Sequence, residues 1–308
     1  MSLPAALSGP MHYAQISRVS LCLEINLNKM VLKYVIMIIV VSDVHLAERD
    51  DQQTKVDDAK FLQFLEYIST NQLKNGGDLV LLGDIIDLWR RDFVKAMMES
   101  EPVISKLMEM KSKIKIHYLA GNHDFHMLNM GGLFKDNYPF QVTKELRLEE
   151  SGKKFFFIHG YQIEVLANPY YKSMSAYEAF SEGLCMAGDD TGNAADKLWE
   201  TYQVSKSALD GLKRLPFNIK GALDSMFNPP DKRMENVISE VDKIALSSAR
   251  ALYLGMDKDE TLIFGHTHEP FPAVKNGAIN TGSWNKSPCT NYTYLEISGG
   301  QVKSKTFP

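Results

Sequence analysis

Five short apolar runs punctuate the chain: Tyr34 to Val41, Leu79 to Leu82, Ile114 to Ala120, Lys154 to Ile158 and Thr261 to Phe264. Each ends in a polar cluster containing Asp, Asn or His, and each reads as a buried strand delivering that cluster at its carboxyl end. Helical spacing separates the early runs. From Asp57 to Leu73, Phe61, Phe64, Leu65 and Ile68 make one apolar face behind acidic first-turn residues, and Pro102 opens a second helix that buries Val103, Leu107 and Met110. Alternating strands and helices predict an α/β layered sheet, in which ligands sit outside the carboxyl ends of the strands. The polar clusters therefore converge.

Between Leu166 and Met256 the strand signal disappears, and helical patterns are broken at Gly188 to Asn193, Pro216 and Asn228 to Pro230. This segment is expected to be a helical cap. After Gly265 strand character returns, ending in a hairpin of Tyr292 to Ile297 and Val302 to Phe307 turned at Gly299-Gly300. The organisation is thus an N-terminal extension (1–30), a core (31–165 and 257–308) and an inserted cap (166–256). The apolar stretch from Val19 to Val41 is interrupted by Glu24, Lys29 and Lys33, and its uninterrupted piece falls far short of the roughly 20 residues a spanning helix needs. No membrane span is expected, which leaves peripheral membrane contact open. The extension carries one strand-like alternation, Val19, Leu21, Leu23 and Ile25, and no functional signal.

Composition narrows the picture. A chain of 308 residues with 44% hydrophobic content can bury a full core plus an insertion. A net charge of -4 and a pI near 6.1 supply no basic footprint for nucleic-acid backbone. Cys22, Cys185 and Cys289 are odd in number and widely spaced, unlike a disulfide framework or a thiolate zinc site, so a reducing, cytoplasmic setting is expected.

The clusters carry the chemistry. In order they are Ser42-Asp43-Val44-His45, Gly83-Asp84-Ile85-Ile86-Asp87, Gly121-Asn122-His123-Asp124, His159-Gly160 and Gly265-His266-Thr267-His268, and they hold five of the chain's 8 histidines. Two divalent ions about 3.5–4 Å apart need oxygen and nitrogen ligands from several segments, with a carboxylate to bridge them. Any one cluster could be a structural turn. Five in sequence after five strands, with glycines allowing close backbone approach, point to a dinuclear metal site.

These blocks resemble those of the calcineurin-like metallophosphoesterases, which run D-x-H, G-D-x-x-D, G-N-H-D or E, H, and G-H-x-H. The resemblance spans roughly Ile36 to Gly160 and Leu262 to Ser283, and implies a two-layered sheet sandwich flanked by helices. By position it implies that Asp43, His45 and His268 hold one metal, that Asn122, His159 and His266 hold the other, and that Asp84 bridges them. It implies hydrolysis of a phosphoester or phosphoanhydride by metal-activated water. His123, one residue after a ligand, would stabilise developing charge or protonate the leaving oxygen, with Asp124 orienting its ring. Asp87 would either cap a helix starting near Leu88 or support the site from behind. A nitrogen and oxygen set without thiolate suits manganese first, then iron or zinc.

Among subfamilies, the protein phosphatases continue the second block into Asp-Arg-Gly, where Leu88 and Trp89 follow here; the repair nucleases and purple acid phosphatases place His or Tyr at Asp87. The closest pattern is that of the UDP-2,3-diacylglucosamine hydrolases, which also carry a helical cap. Three positions depart: His123 for arginine, Tyr161 for aspartate and Glu269 for arginine. The expected substrate is therefore a phosphorylated small molecule or lipid precursor, selected by the cap. The cap offers aromatics (Tyr170, Tyr171, Tyr177, Phe180, Trp199, Tyr202, Phe217, Phe227) and a basic stretch (Lys206, Lys213, Arg214, Lys220). A non-catalytic scaffold of the same fold would have shed ligands, and here no ligand position is missing.

Overall fold

The computed structural model describes residues 36–133, 140–167, 173–187, 240–284 and 292–308. The N-terminal extension, Cys22, Cys289 and the cap positions Tyr170, Tyr171, Trp199, Tyr202, Lys206, Lys213, Arg214, Phe217, Lys220 and Phe227 lie outside the described residues.

Two sheets form the centre. The first holds β1 (Ile38–Val41), β2 (Asp78–Leu82), β3 (Lys115–Leu119), β4 (Gln141–Thr143), β9 (Thr293–Ser298) and β10 (Gln301–Thr306), in the order β10-β9-β1-β2-β3-β4. The second holds β5 (Glu145–Glu150), β6 (Lys153–Ile158), β7 (Glu260–Phe264) and β8 (Ala278–Asn280) in sequence order. The strands that carry the chemistry, β1, β2, β3, β6 and β7, each have a parallel neighbour. β1 and β2 are buried along their whole length because both faces are covered. Alternate residues serve different layers. Ile38, Val40, Val80, Leu82, Phe155, Phe157 and Ile263 fill the space between the sheets. Ile39, Val41, Leu79 and Leu81 face the opposite way, onto Phe61, Phe64, Leu65 and Ile68. Phe156, Ile158, Leu262 and Phe264 back onto Ile163, Val241 and Ala245. The result is the expected sheet sandwich flanked by helices.

Helix α1 (Gln52–Thr70) begins a turn earlier than its spacing predicts, because Asp51 caps it by accepting from the Thr54 N–H at 2.8 Å. Asp57, expected in the first turn, is instead buried mid-helix and accepts from the Tyr292 hydroxyl at 2.7 Å. α2 (Phe93–Glu99) is capped by Asp92, and α3 (Glu101–Met110) follows with Pro102 in its first turn. α4 (Met127–Leu133) leads away from the third block. The terminal hairpin turns at Gly299 (φ 60°) and Gly300 (φ 71°), left-handed at both positions as a two-residue turn requires, and both N–H groups donate to Glu150.

Helix α5 (Tyr161–Ala167) runs from the core into the segment 166–256, whose other described helices are α6 (Met174–Ala187), residues 240–246 and α7 (Arg250–Leu254). Tyr177, Leu184 and Cys185 of α6 are buried and join the core layer that contains α1. Tyr177, one of the aromatics of this segment, is therefore core. Among the described residues no helix is long and apolar enough to cross a membrane.

Candidate metal centre

All five blocks follow their strands directly, and the first two are zipped together. Val44 and His45 N–H both donate to the Asp84 carbonyl at 2.9 Å, and Leu46 N–H donates to that of Ile85 at 2.9 Å. Gly265 N–H reaches the His159 carbonyl at 2.7 Å, and Trp284 N–H reaches that of Asp43 at 3.1 Å. Five block residues adopt left-handed backbone: Asp43 (φ 53°), His45 (51°), Asp84 (53°), His266 (70°) and His268 (60°). Such conformations cost a non-glycine residue about 1–3 kcal/mol each and persist where function fixes them. Close approach demands glycine at two neighbouring positions. A Cβ at Gly121 would overlap the Asp84 carboxylate, and one at Gly83 (φ +87) would lie 2.5 Å from His159 Nδ1.

The side chains converge as overlapping groups. Asp43, His45 and His268 can offer donor atoms within 4.8 Å of one another, and so can Asp84, His159 and His266. His268 Nε2 is 3.2 Å from Asp43 Oδ1, His159 Nε2 is 3.0 Å from Asp84 Oδ2, and His45 Nε2 is 4.0 Å from the same oxygen. His45, Asp84 and His123 meet the same spacing, so His123 is within reach of the first group.

Four buried atoms in this set have no hydrogen-bond partner among the described residues: Asp43 Oδ1, His45 Nε2, Asn122 Oδ1 and His159 Nε2. His159 and Asp84 are close without being aligned as a hydrogen bond. Leaving such atoms buried and unmatched costs about 1–3 kcal/mol apiece. The other ends of three of these side chains are matched. Asp43 Oδ2 accepts from the Ser42 hydroxyl and from His266 N–H at 3.0 Å, His45 Nδ1 meets Asp87 Oδ2 at 3.2 Å, and His159 Nδ1 donates to the Leu82 carbonyl at 2.8 Å. Asp43, His45 and His159 are each pinned on one side and open on the other, an arrangement that suits a metal site.

Electrostatics agree. Burial would raise the Asp43 carboxyl, but His268 and then His159 outweigh it and bring it down to about 2. Asp84 is held far below the usual carboxylate range, since His159 and His123 overcome its burial. Burial disfavours charge on His45, yet its bond to Asp87 and the charge of Asp84 push it up to about 9; Asp84 and Asp43 likewise take His159 to about 10. Protons thus balance the carboxylates where no cation does, and a divalent ion would displace them.

Residues 36–270 match the family model for calcineurin-like phosphoesterases. The chain belongs to that family. Among curated relatives, the UDP-2,3-diacylglucosamine hydrolase of Psychromonas ingrahamii is 29% identical over 137 residues, which cover 44% of this chain and 51% of that protein. The enzyme of the same name from Shewanella halifaxensis is 25% identical over 248 residues, 79% of this chain and 88% of its own. A solved dimetal phosphatase from Danio rerio aligns at 14% identity over 89% of this chain and 99% of its own, with a TM-score of 0.44, a likeness too distant to carry inference.

Within this phosphoesterase site Asp124 differs from expectation, and Asp87 follows one of its two expected roles. His123 Nδ1 is met by Asp87 Oδ2 at 3.1 Å, and its ring stacks on Trp89 with centroids 4.1 Å apart. Asp124 does not orient that ring: its oxygens accept from Gly121 N–H, Ile85 N–H and the Tyr118 hydroxyl at 2.6–2.8 Å, tying the third block to the second. Burial, then the nearby Asp84, raises its carboxyl. Asp87 caps no helix near Leu88, since the next helix starts at Phe93 behind Asp92. One Asp87 oxygen meets His45, His123 and Arg90 together, while the other accepts from Trp89 and Arg90 N–H.

One supporting residue went unread in the sequence. Glu164, buried on α5, lies 2.6 Å from His266 Nε2. Its signal was an acid flanked by Ile163 and Val165 on a helix otherwise apolar on that side. Tyr161, where the relatives' aspartate was expected, is buried and stacks on Tyr177 at 5.4 Å. That departure builds the α5–α6 contact.

Proposed function

We propose that this phosphoesterase hydrolyses a phosphoester or phosphoanhydride at two divalent ions, one held by Asp43, His45 and His268 and the other by Asn122, His159 and His266, with Asp84 between them. The observation that carries this reading is the set of four open, buried donor atoms, all on residues of that ligand set. Imidazole, carboxylate and amide donors without thiolate favour manganese over iron or zinc. When bound, the ion pair polarises the phosphoryl oxygens and supplies hydroxide near neutral pH. The chain's own groups do the rest. Asp87 fixes His123 through Nδ1, and a cationic His123 would offer Nε2–H to protonate the leaving oxygen or meet developing charge. Asp124 holds the loop that carries His123 against the Asp84 loop.

The substrate we favour is a phosphorylated small molecule or lipid precursor, chosen by the cap over residues 166–256, in a reducing, cytoplasmic setting. The names of the curated relatives support the lipid-precursor class. His123, Tyr161 and Glu269 argue against UDP-2,3-diacylglucosamine as the best substrate, because they remove positive charge or, in Tyr161, bury an aromatic ring against α6. A panel of phosphomonoesters, phosphodiesters, nucleotide sugars and nucleic acids, each assayed with manganese, magnesium and zinc, tests the reading. Metal-dependent hydrolysis is expected, with UDP-2,3-diacylglucosamine turned over weakly. Purified protein that binds no metal and hydrolyses nothing would instead be a scaffold.

A further inference from the structure

The two metal groups are braced from different places. Asp87, which meets His45, comes from within the blocks; the group on His266 comes from α5, the helix that leads into the cap. Glu164 Oε2 is 2.6 Å from His266 Nε2, and the Glu164 side chain is only 8% exposed. The same oxygen accepts from the Tyr177 hydroxyl of α6 at 3.3 Å. Meanwhile His266 N–H is spent on Asp43 Oδ2 at 3.0 Å, so backbone and ring are both fixed. A carboxylate on one imidazole nitrogen puts the proton there and leaves the other as an acceptor. His266 therefore has Nδ1 open, the reverse of His45 and His159, whose Nδ1 atoms are engaged and whose Nε2 atoms are open.

We propose that Glu164 is the positioning residue for the second metal: it holds His266 with Nε2 protonated, so that Nδ1 is the ligating atom, and links that ligand to α6 through Tyr177. This rests on the two-metal reading. Carboxylates that orient a ligating histidine are worth about 10–100-fold in metal affinity. Glu164→Ala should therefore weaken the second ion by that factor while leaving the first at wild-type affinity. Glu164→Gln, whose amide oxygen can still accept from Nε2–H, should recover part of the loss. Glu178→Gln, which disturbs the bond from Tyr161 and the ion pair with Lys144 but makes no contact with His266, should bind both ions normally.

The experiment is titration of the chelator-stripped full chain with Co²⁺, following its visible absorption, for wild type and the three variants. Two sequential ions in wild type, with only the second shifted in Glu164→Ala and partly restored in Glu164→Gln, is the expected result. Normal binding of both ions by Glu164→Ala would overturn the positioning role while leaving the two-metal site standing. Equal loss of the second ion in Gln and Ala would overturn it in favour of Glu164 as a direct ligand. Wild type binding fewer than two ions would remove the proposal together with the reading beneath it.

Discussion

His45 and His266 stand at the ends of β1 and β7, both in left-handed backbone and both held by a carboxylate. Their supports have different origins. Asp87 belongs to a loop of the first sheet, on the same five-residue block as Asp84, and serves His45 and His123 at once. Glu164 belongs to a helix outside the blocks and serves one ligand. The first group is thus self-contained, and the second depends on how α5 packs. The contrast teaches that a strand-end site can gather its donor atoms from loops while part of its geometry is set from the helix behind it.

The largest expected effect removes what the two groups share. Asp84→Asn should abolish hydrolysis of a chromogenic phosphoester and weaken both ions, read by metal analysis beside the assay; near-normal activity in manganese-replete buffer would break the symmetry of the comparison. Next, His123→Ala should keep both ions and lose about 10²–10⁴-fold in rate, the range of a positioned acid or base. Loss of an ion instead would place His123 among the ligands, as its distance from His45 and Asp84 permits.

Asp87→Asn sharpens the comparison from the other side. It should weaken the first ion by about 10–100-fold, and slow turnover further because His123 loses the same oxygen, whereas Glu164 variants should slow turnover only through the second ion. A ratio of rate loss to affinity loss equal for the two positions would contradict this.

The legibility of the molecule follows the same division. β1, β2, β6 and β7 were readable because buried parallel strands carry apolar runs, and the candidate metal-binding residues because each block is contiguous in sequence. Asp124 was misassigned since adjacency to His123 suggested contact, while the tight turn sends its carboxylate back to Gly121 and Ile85. Asp57 was misplaced because the cap that starts α1 is Asp51, one turn upstream. Glu164 stands out locally as an acid among apolar neighbours, but its role is not legible because its partner lies 102 residues away and only packing of α5 brings them together.

A smaller effect concerns pH. With His45 and His159 raised from 6.5 to about 9 and about 10, their stabilising contribution in metal-free protein is complete below 6.5 and is lost as pH rises through those values. Thermal unfolding of stripped protein should therefore move to lower temperature over that range, while manganese-loaded protein, which needs the imidazoles deprotonated, should not follow it. The smallest effect is Tyr177→Phe, which removes one long hydrogen bond to Glu164. It should cost about 0.5–1.5 kcal/mol in denaturant unfolding and leave the first ion untouched.

The central claim is tested most directly by stripping the full chain with chelator and adding back Mn²⁺ while following hydrolysis of a chromogenic phosphoester. The account predicts no activity without metal and recovery that completes at two ions per chain. Activity in the stripped protein, or recovery complete at one ion, would contradict it.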